Sequence, residues 1–140
     1  MRSIHVLLIE DNEGDILLTK EAFENANATN LLSIVKDGQE AISFLTKTEN
    51  YCDVATPDLV LLDVNLPKRS GFEVLKFVKG SDRLKHIPVI ILSTSSSKKD
   101  IQTCYINYAN CFITKPGNVD GWSDIISQIQ KFWVSVATLL

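Results

Sequence analysis

Four short, mainly apolar runs recur along the chain at residues 4–9, 59–62, 89–92 and 111–113, each closed by a polar residue. Apolar runs this short, without strict polar alternation, predict strands buried on both faces. A fifth run, residues 31–35, alternates less cleanly and ends near the turn pair Asp37-Gly38, the pattern of an edge strand. Between the runs, apolar residues recur at spacings of three and four. The sets are Ile16, Leu17 and Phe23, with Lys20 on the same face; Ala41, Ile42 and Leu45; Phe72, Leu75 and Val78; Ile101, Tyr105 and Tyr108; and Ile125, Ile129 and Phe132. These predict five helices in strict alternation with the strands.

Strands that alternate with helices pair in parallel, because a parallel connection needs a crossover and the crossover helices bury both faces of the sheet. The predicted class is therefore α/β, with a doubly wound five-stranded parallel sheet. Pro57, Pro67, Pro88 and Pro116 fall outside the predicted element interiors, where a missing N–H does least harm. Residues 46–56 form the one long irregular connection and read as a loop. The ten elements occupy the 140 residues as a single domain, so an output domain is not expected and signalling by contact is.

Composition narrows the function classes. Hydrophobic residues make up 45% and charged residues 22%, as in an ordinary globular domain. A net charge of -3, with Lys98-Lys99 and Lys68-Arg69 as the only adjacent basic pairs, argues against direct nucleic-acid binding. Cys52, Cys104 and Cys111 lack metal-site or redox spacing, which fits reduced thiols in the cytoplasm. The N-terminal apolar run follows one basic residue, Arg2, and ends at Glu10-Asp11, too short and too soon acidic for a signal peptide. No run approaches the roughly 18 to 20 apolar residues of a membrane span.

In an open parallel sheet, ligands bind beyond the carboxyl ends of the strands. The residues there are Glu10 and Asp11, Asp63, Ser93 and Lys115. Three converging carboxylates repel one another by roughly a few kcal/mol per close pair at an effective dielectric near 20. Such a cluster calls for a cation, and hard oxygen ligands suit Mg²⁺. Lys115 offers a fixed positive charge and Ser93 a hydroxyl donor for a phosphoryl group in transfer, which leaves Asp63 as the candidate nucleophile.

Those residues carry a resemblance. The chain resembles the response-regulator receiver family of two-component systems in LLIEDN (Glu10, Asp11), LVLLDVNLP (Asp63), PVIILST (Ser93) and FITKPG (Lys115, Pro116). Acceptor, hydroxyl and lysine stand 30 and then 22 residues apart, the family's intervals. The resemblance implies the flavodoxin-like receiver fold with strand order 2-1-3-4-5, and a stand-alone regulator phosphorylated on Asp63 by a sensor histidine kinase. It further implies Mg²⁺ held by Asp11, Asp63 and the Asn65 backbone carbonyl, with Glu10 acting through water. Gly71 matches the glycine that follows the acceptor loop. Ser93 and Phe112 would form the switch; Phe112 stands where the family often has Tyr and cannot supply that hydroxyl.

Within the family, the chain is most similar to small regulators paired with cyanobacterial phytochrome kinases, through EDNEGDILLTKEAF, ANCFITKP and the aromatic pair Phe132-Trp133. A phytochrome kinase and a downstream protein are the implied partners. Two other readings use the same residues. A pseudo-receiver would keep the fold without phosphorylation, but the key residues are intact. A phosphoaspartate hydrolase would need a second Asp two residues after the first, and Asn65 stands there.

Several features also have plainer readings. Asp11 could cap the first helix, Asn65 and Ser95 could be simple loop polarity or could tune attack by water, and His5 and His86 read as structural. The last helix carries Trp122, Ile126, Ile129, Trp133 and Ala137 along one stripe, flanked by Ile125, Phe132, Val136 and Leu139. That exceeds the usual core-facing arc of about 100°. A homodimer is expected there, with Phe132, Trp133 and Val136 as candidate contacts.

Overall fold

The computed structural model describes residues 3–25 and 30–140; Arg2, used above in judging the N-terminus, lies outside the described residues. Five strands, β1 (His5–Ile9), β2 (Leu31–Val35), β3 (Leu59–Leu62), β4 (Val89–Ser93) and β5 (Cys111–Thr114), form one parallel sheet in the order β2-β1-β3-β4-β5. This is the flavodoxin-like order expected from the resemblance. The chain runs from β1 outward to β2 and returns to β3 on β1's other side, so the strand order reverses between β1 and β3. The crevice at such a reversal is where an open sheet can accept a ligand.

The helices are α1 (Glu13–Asn25), α2 (Gly38–Thr46), α3 (Gly71–Gly80), α4 (Lys98–Ile106) and α5 (Val119–Ile129). Each begins at a side chain that accepts from an otherwise unpaired first-turn N–H: Asn12 from Asp15 at 2.9 Å, Asp37 from Glu40 at 2.7 Å, Ser70 from Glu73 at 3.3 Å, Ser97 from Asp100 at 3.1 Å and Asn118 from Gly121 at 2.7 Å. Such caps are worth about 1 kcal/mol each. Asn12 takes the role that Asp11 might have filled, leaving the Asp11 carboxylate for other work.

Strand residues alternate between two apolar layers. Leu7, Ile9, Val60, Leu62 and Ile91 pack with Phe44 of α2, Leu75 of α3 and Cys104 of α4. Val6, Leu8, Leu59, Leu61 and Ile90 pack with Ile16 and Phe23 of α1 and Trp122 and Ile126 of α5. Both faces of the sheet are covered, so the three central strands are apolar along nearly their whole length.

Several expectations need correction. In α4 the buried residue is Cys104, whereas Tyr105 and Tyr108 are exposed and the helix stops at Ile106. Tyr105 instead reaches the sheet edge, where its hydroxyl accepts a hydrogen bond from the Phe112 N–H at 3.0 Å. An edge strand leaves such groups unpaired. Residues 46–56 are not wholly irregular, since Thr46 closes α2 and Glu49–Tyr51 forms a 3₁₀ turn. Beyond Ile129 the last helix widens into a π-helical stretch, Gln130–Val136, with the Ala137 N–H donating to the Phe132 carbonyl at 2.7 Å. A π-turn advances each side chain less far around the axis than an α-turn, yet the predicted stripe holds through Trp133, with Trp122, Ile126, Ile129 and Trp133 on one apolar layer. Trp133 and Val134 turn against the core, while Phe132 (53% exposed) and Val136 (64% exposed) face outward. Leu17 of α1, also placed on an apolar face, is 55% exposed.

Candidate functional site

Strand register builds the site. Ile9 and Leu62 are paired, so the residues that follow them, Glu10 and Asp63, leave adjacent strands side by side. The Asp63 N–H donates to the Ile9 carbonyl at 3.0 Å, and the Glu10 N–H donates to the Val35 carbonyl at 3.0 Å. Across the sheet Ser93 pairs with Thr114, and the Lys115 N–H donates to the Ser93 carbonyl at 2.7 Å. Backbone hydrogen bonds thus fix all four positions before any side chain is considered.

Oxygens of Glu10, Asp11 and Asp63 lie within 4.8 Å of one another. Lys115 Nζ donates to Glu10 Oε1, to Asp15 Oδ2 at 2.9 Å and to Asp63 Oδ2 at 3.3 Å. The Lys115 side chain is only 6% exposed, and Glu10 and Asp63 are equally enclosed. The remaining carboxylate oxygens accept backbone donors: Glu10 Oε2 from the N–H of Asp11 (3.1 Å) and Asn12 (3.3 Å), and Asp63 Oδ1 from the N–H of Asn65 (3.1 Å). Asp11 itself is exposed at the mouth of the cluster.

One ammonium therefore faces several carboxylates. The Glu10 carboxyl is pushed up to about 7, chiefly by burial and then by its hydrogen bond with Asp63, which Lys115 only partly offsets. Burial works against the Lys115 ammonium, but Glu10, Asp15 and Asp63 together outweigh it and hold its pKa above the usual lysine value. A carboxyl held this high marks an enclosed site first and, second, a neighbouring carboxylate that the single ammonium does not fully offset. The oxygen-only donor set of Glu10, Asp11 and Asp63 suits a divalent hard cation.

Neighbouring turns press on β3. The first turn of α3 lies so close to β3 that a methyl group on Gly71 would fall 2.4 Å from both the Asp63 carbonyl oxygen and the Val64 Cα. A side chain there would displace the backbone that carries Asp63. The loop between them turns at Lys68, whose φ of 67° is in the left-handed region, with the Arg69 N–H donating to the Pro67 carbonyl at 2.8 Å. Gly38 lies beneath that turn, where an added Cβ would meet the Arg69 carbonyl oxygen at 2.0 Å.

The other expected residues are placed as follows. Ser93 is fully buried, and its Oγ accepts from the Ser95 N–H at 3.1 Å. The Ser95 hydroxyl donates to Asp100 Oδ2 at 2.7 Å and accepts from the Ser97 N–H at 3.2 Å, so it is tied to the start of α4. Phe112 is half-buried against the α2–α4 layer. His5 is buried, with Nε2 2.8 Å from Ser33 Oγ, away from the acidic cluster, and His86 is exposed.

Sequence reasoning overlooked two residues that touch Lys115. Asp15 stands in the first turn of α1, and the Trp122 ring lies with its centroid 5.6 Å from Nζ. The acidic run from Glu10 to Asp15 was a signal for the first. Trp122 gave none beyond its place in an apolar stripe.

Comparison with known proteins decides the family. The response regulator receiver domain family matches residues 6–127. The chain belongs to that family. Among curated relatives of this receiver is response regulator Rcp1 of Synechocystis sp., 37% identical over 134 residues, covering 96% of this chain and 91% of Rcp1. The phosphorylated cyanobacterial phytochrome response regulator RcpA superposes with a TM-score of 0.96 at 42% identity, covering 99% of both chains. The Mn(2+)-bound form of Rcp1 superposes with a TM-score of 0.95 at 36% identity, over 98% of this chain and 99% of that one. This receiver is thus related to phytochrome response regulators, within a family that serves signalling rather than metabolism. Among its described residues no helix is long and apolar enough to cross a membrane.

Proposed function

We propose that this receiver takes a phosphoryl group onto Asp63 from the phosphohistidine of a sensor kinase, and that the acyl phosphate alters which protein it binds. One observation carries the reading: the buried Asp63 carboxylate sits 3.3 Å from the Lys115 ammonium, with Glu10 and Asp11 oxygens within 4.8 Å. In the transfer an Asp63 oxygen bonds to phosphorus as the P–N bond breaks and the histidine nitrogen keeps the electron pair. Such a transfer relies chiefly on positioning and charge neutralisation.

Asp11, Asp63 and the Asn65 carbonyl would hold Mg²⁺, with Glu10 acting through water. When bound, the ion neutralises charge on the phosphoryl oxygens. Lys115 provides the second positive charge and Ser93 a hydroxyl donor. To reach the phosphoryl group, Ser93 Oγ gives up the Ser95 N–H, and Phe112 turns into the space that this movement leaves. The Ser95 hydroxyl, already tied to Asp100, leaves water attack to be governed mainly by Asn65.

The kinship with Rcp1 and RcpA supports a phytochrome histidine kinase as donor and the cytoplasm as location. The outward-facing Phe132 and Val136, beside the half-buried Trp133 and the β5 edge, support a homodimer through that face. Sedimentation at micromolar concentration is expected to give a dimer in at least one of two conditions, with and without an acyl-phosphate mimic; a monomer under both would refute it. For the central reading, the protein incubated with Mg²⁺ and acetyl phosphate should acquire an acid-stable, base-labile label that Asp63→Asn lacks. Labelling that persists in that variant would overturn the assignment.

A further inference from the structure

Asp15 lies outside the three-carboxylate cluster, yet it makes the second of the three contacts to the Lys115 ammonium, at 2.9 Å. Its position follows from local structure. Asn12 caps α1 by accepting from the Asp15 N–H itself, which fixes the backbone of the first turn, and the Asp15 side chain reaches back over the strand ends. The same ammonium lies against the Trp122 ring at the start of α5. Trp122 is 3% exposed, and its indole N–H has no partner among the described residues. Lys115 is therefore held between two sets of groups: Glu10 and Asp63 on the acidic-cluster side, Asp15 and Trp122 on the helical side.

Resting on the receiver reading above, we propose that Asp15 is a positioning residue which retains Lys115 when a divalent cation takes over Asp63 and, through water, Glu10. An ammonium and a divalent ion that both contact Asp63 repel each other strongly, so the ammonium withdraws from Asp63 as the ion enters. In a pocket this enclosed, an ammonium that withdraws to no partner is destabilised, because a buried charge needs a compensating one. Asp15 supplies that compensation on the side away from the cluster, and the Trp122 face adds a weaker attraction there. By lowering the penalty of displacing Lys115, Asp15 strengthens metal binding without itself being a ligand. It also leaves the ammonium poised at the edge of the pocket where a phosphoryl oxygen arrives.

A role as a mere local negative charge would strengthen cation binding too, but independently of Lys115, and this separates the two explanations. Mg²⁺ affinity would be measured by titration calorimetry on the full chain for the parent, Asp15→Asn, Lys115→Ala and the double variant. Asp15→Asn is expected to weaken Mg²⁺ binding about fivefold or more in the presence of Lys115. In the Lys115→Ala background the same change should alter affinity by less than about twofold. Asp15→Glu, which restores a carboxylate, should recover most of the loss. An equal loss in both backgrounds, or no loss in either, would overturn the inference. Failure of the parent protein to bind Mg²⁺ at all would instead overturn the metal-dependent receiver reading, and this inference with it.

Discussion

Lys115→Ala is expected to slow labelling by acetyl phosphate about a hundredfold while tightening Mg²⁺ binding. The first effect follows from loss of a preorganised charge in a water-poor site, where removing one such donor typically costs about 10²–10³ in rate. The second follows because Lys115 Nζ contacts Glu10 and Asp63, two of the three carboxylates of the cluster. Taking the ammonium away leaves those oxygens uncompensated, and a divalent cation is the natural replacement. Opposite signs for rate and affinity are the diagnostic feature. A rate of labelling at saturating Mg²⁺ equal to that of the parent would show that Lys115 has no part in the transfer; weaker Mg²⁺ binding would show that it does not compete with the metal.

The second large effect concerns the frame. Leu61→Ala should destabilise the fold by about 2–5 kcal/mol, the range for a buried leucine truncated where the surroundings cannot collapse. Leu61 is fully buried in β3, between β1 and β4, in the layer that α1 and α5 cover. The same change at Leu17, exposed on α1, should stay within about 0.5 kcal/mol. Urea denaturation of the two variants checks the contrast. Similar losses in both would contradict the assignment of Leu61 to the rigid layer that supports Asp63.

Much of this arrangement was legible before any coordinates, because the features that create it are local in sequence. Uninterrupted apolar runs specify strands buried on two faces, and the polar residue that ends each run is carried to the same edge of the sheet by parallel pairing. Glu10, Asp63, Ser93 and Lys115 could be grouped for that reason alone. The strand order was not written in the periodicity and came through the resemblance. The face of α4 was misjudged because tyrosine is both apolar and polar: at Tyr105 the hydroxyl pairs with the β5 edge in preference to burial of the ring. The π-helical turn after Ile129 has no signature in spacing, although Trp133 keeps to the predicted stripe and Phe132 and Val136 to its exposed flank. Asp15 was marked only by the acidic run it closes, and its contact with Lys115 was not. Its partner stands 100 residues away, and only the docking of α1 beside the end of β5 brings them together.

The claim on which the rest depends is that Asp63 carries the phosphoryl group, and its chemistry can be read at the residue itself. Borohydride reduces an aspartyl phosphate to homoserine, so the protein treated with Mg²⁺ and acetyl phosphate, then with borohydride, can be digested and sequenced by mass spectrometry. Homoserine at position 63, absent when acetyl phosphate is omitted, is the predicted result. Homoserine at another aspartate, or an unaltered Asp63 in a protein that has acquired the label, would contradict it.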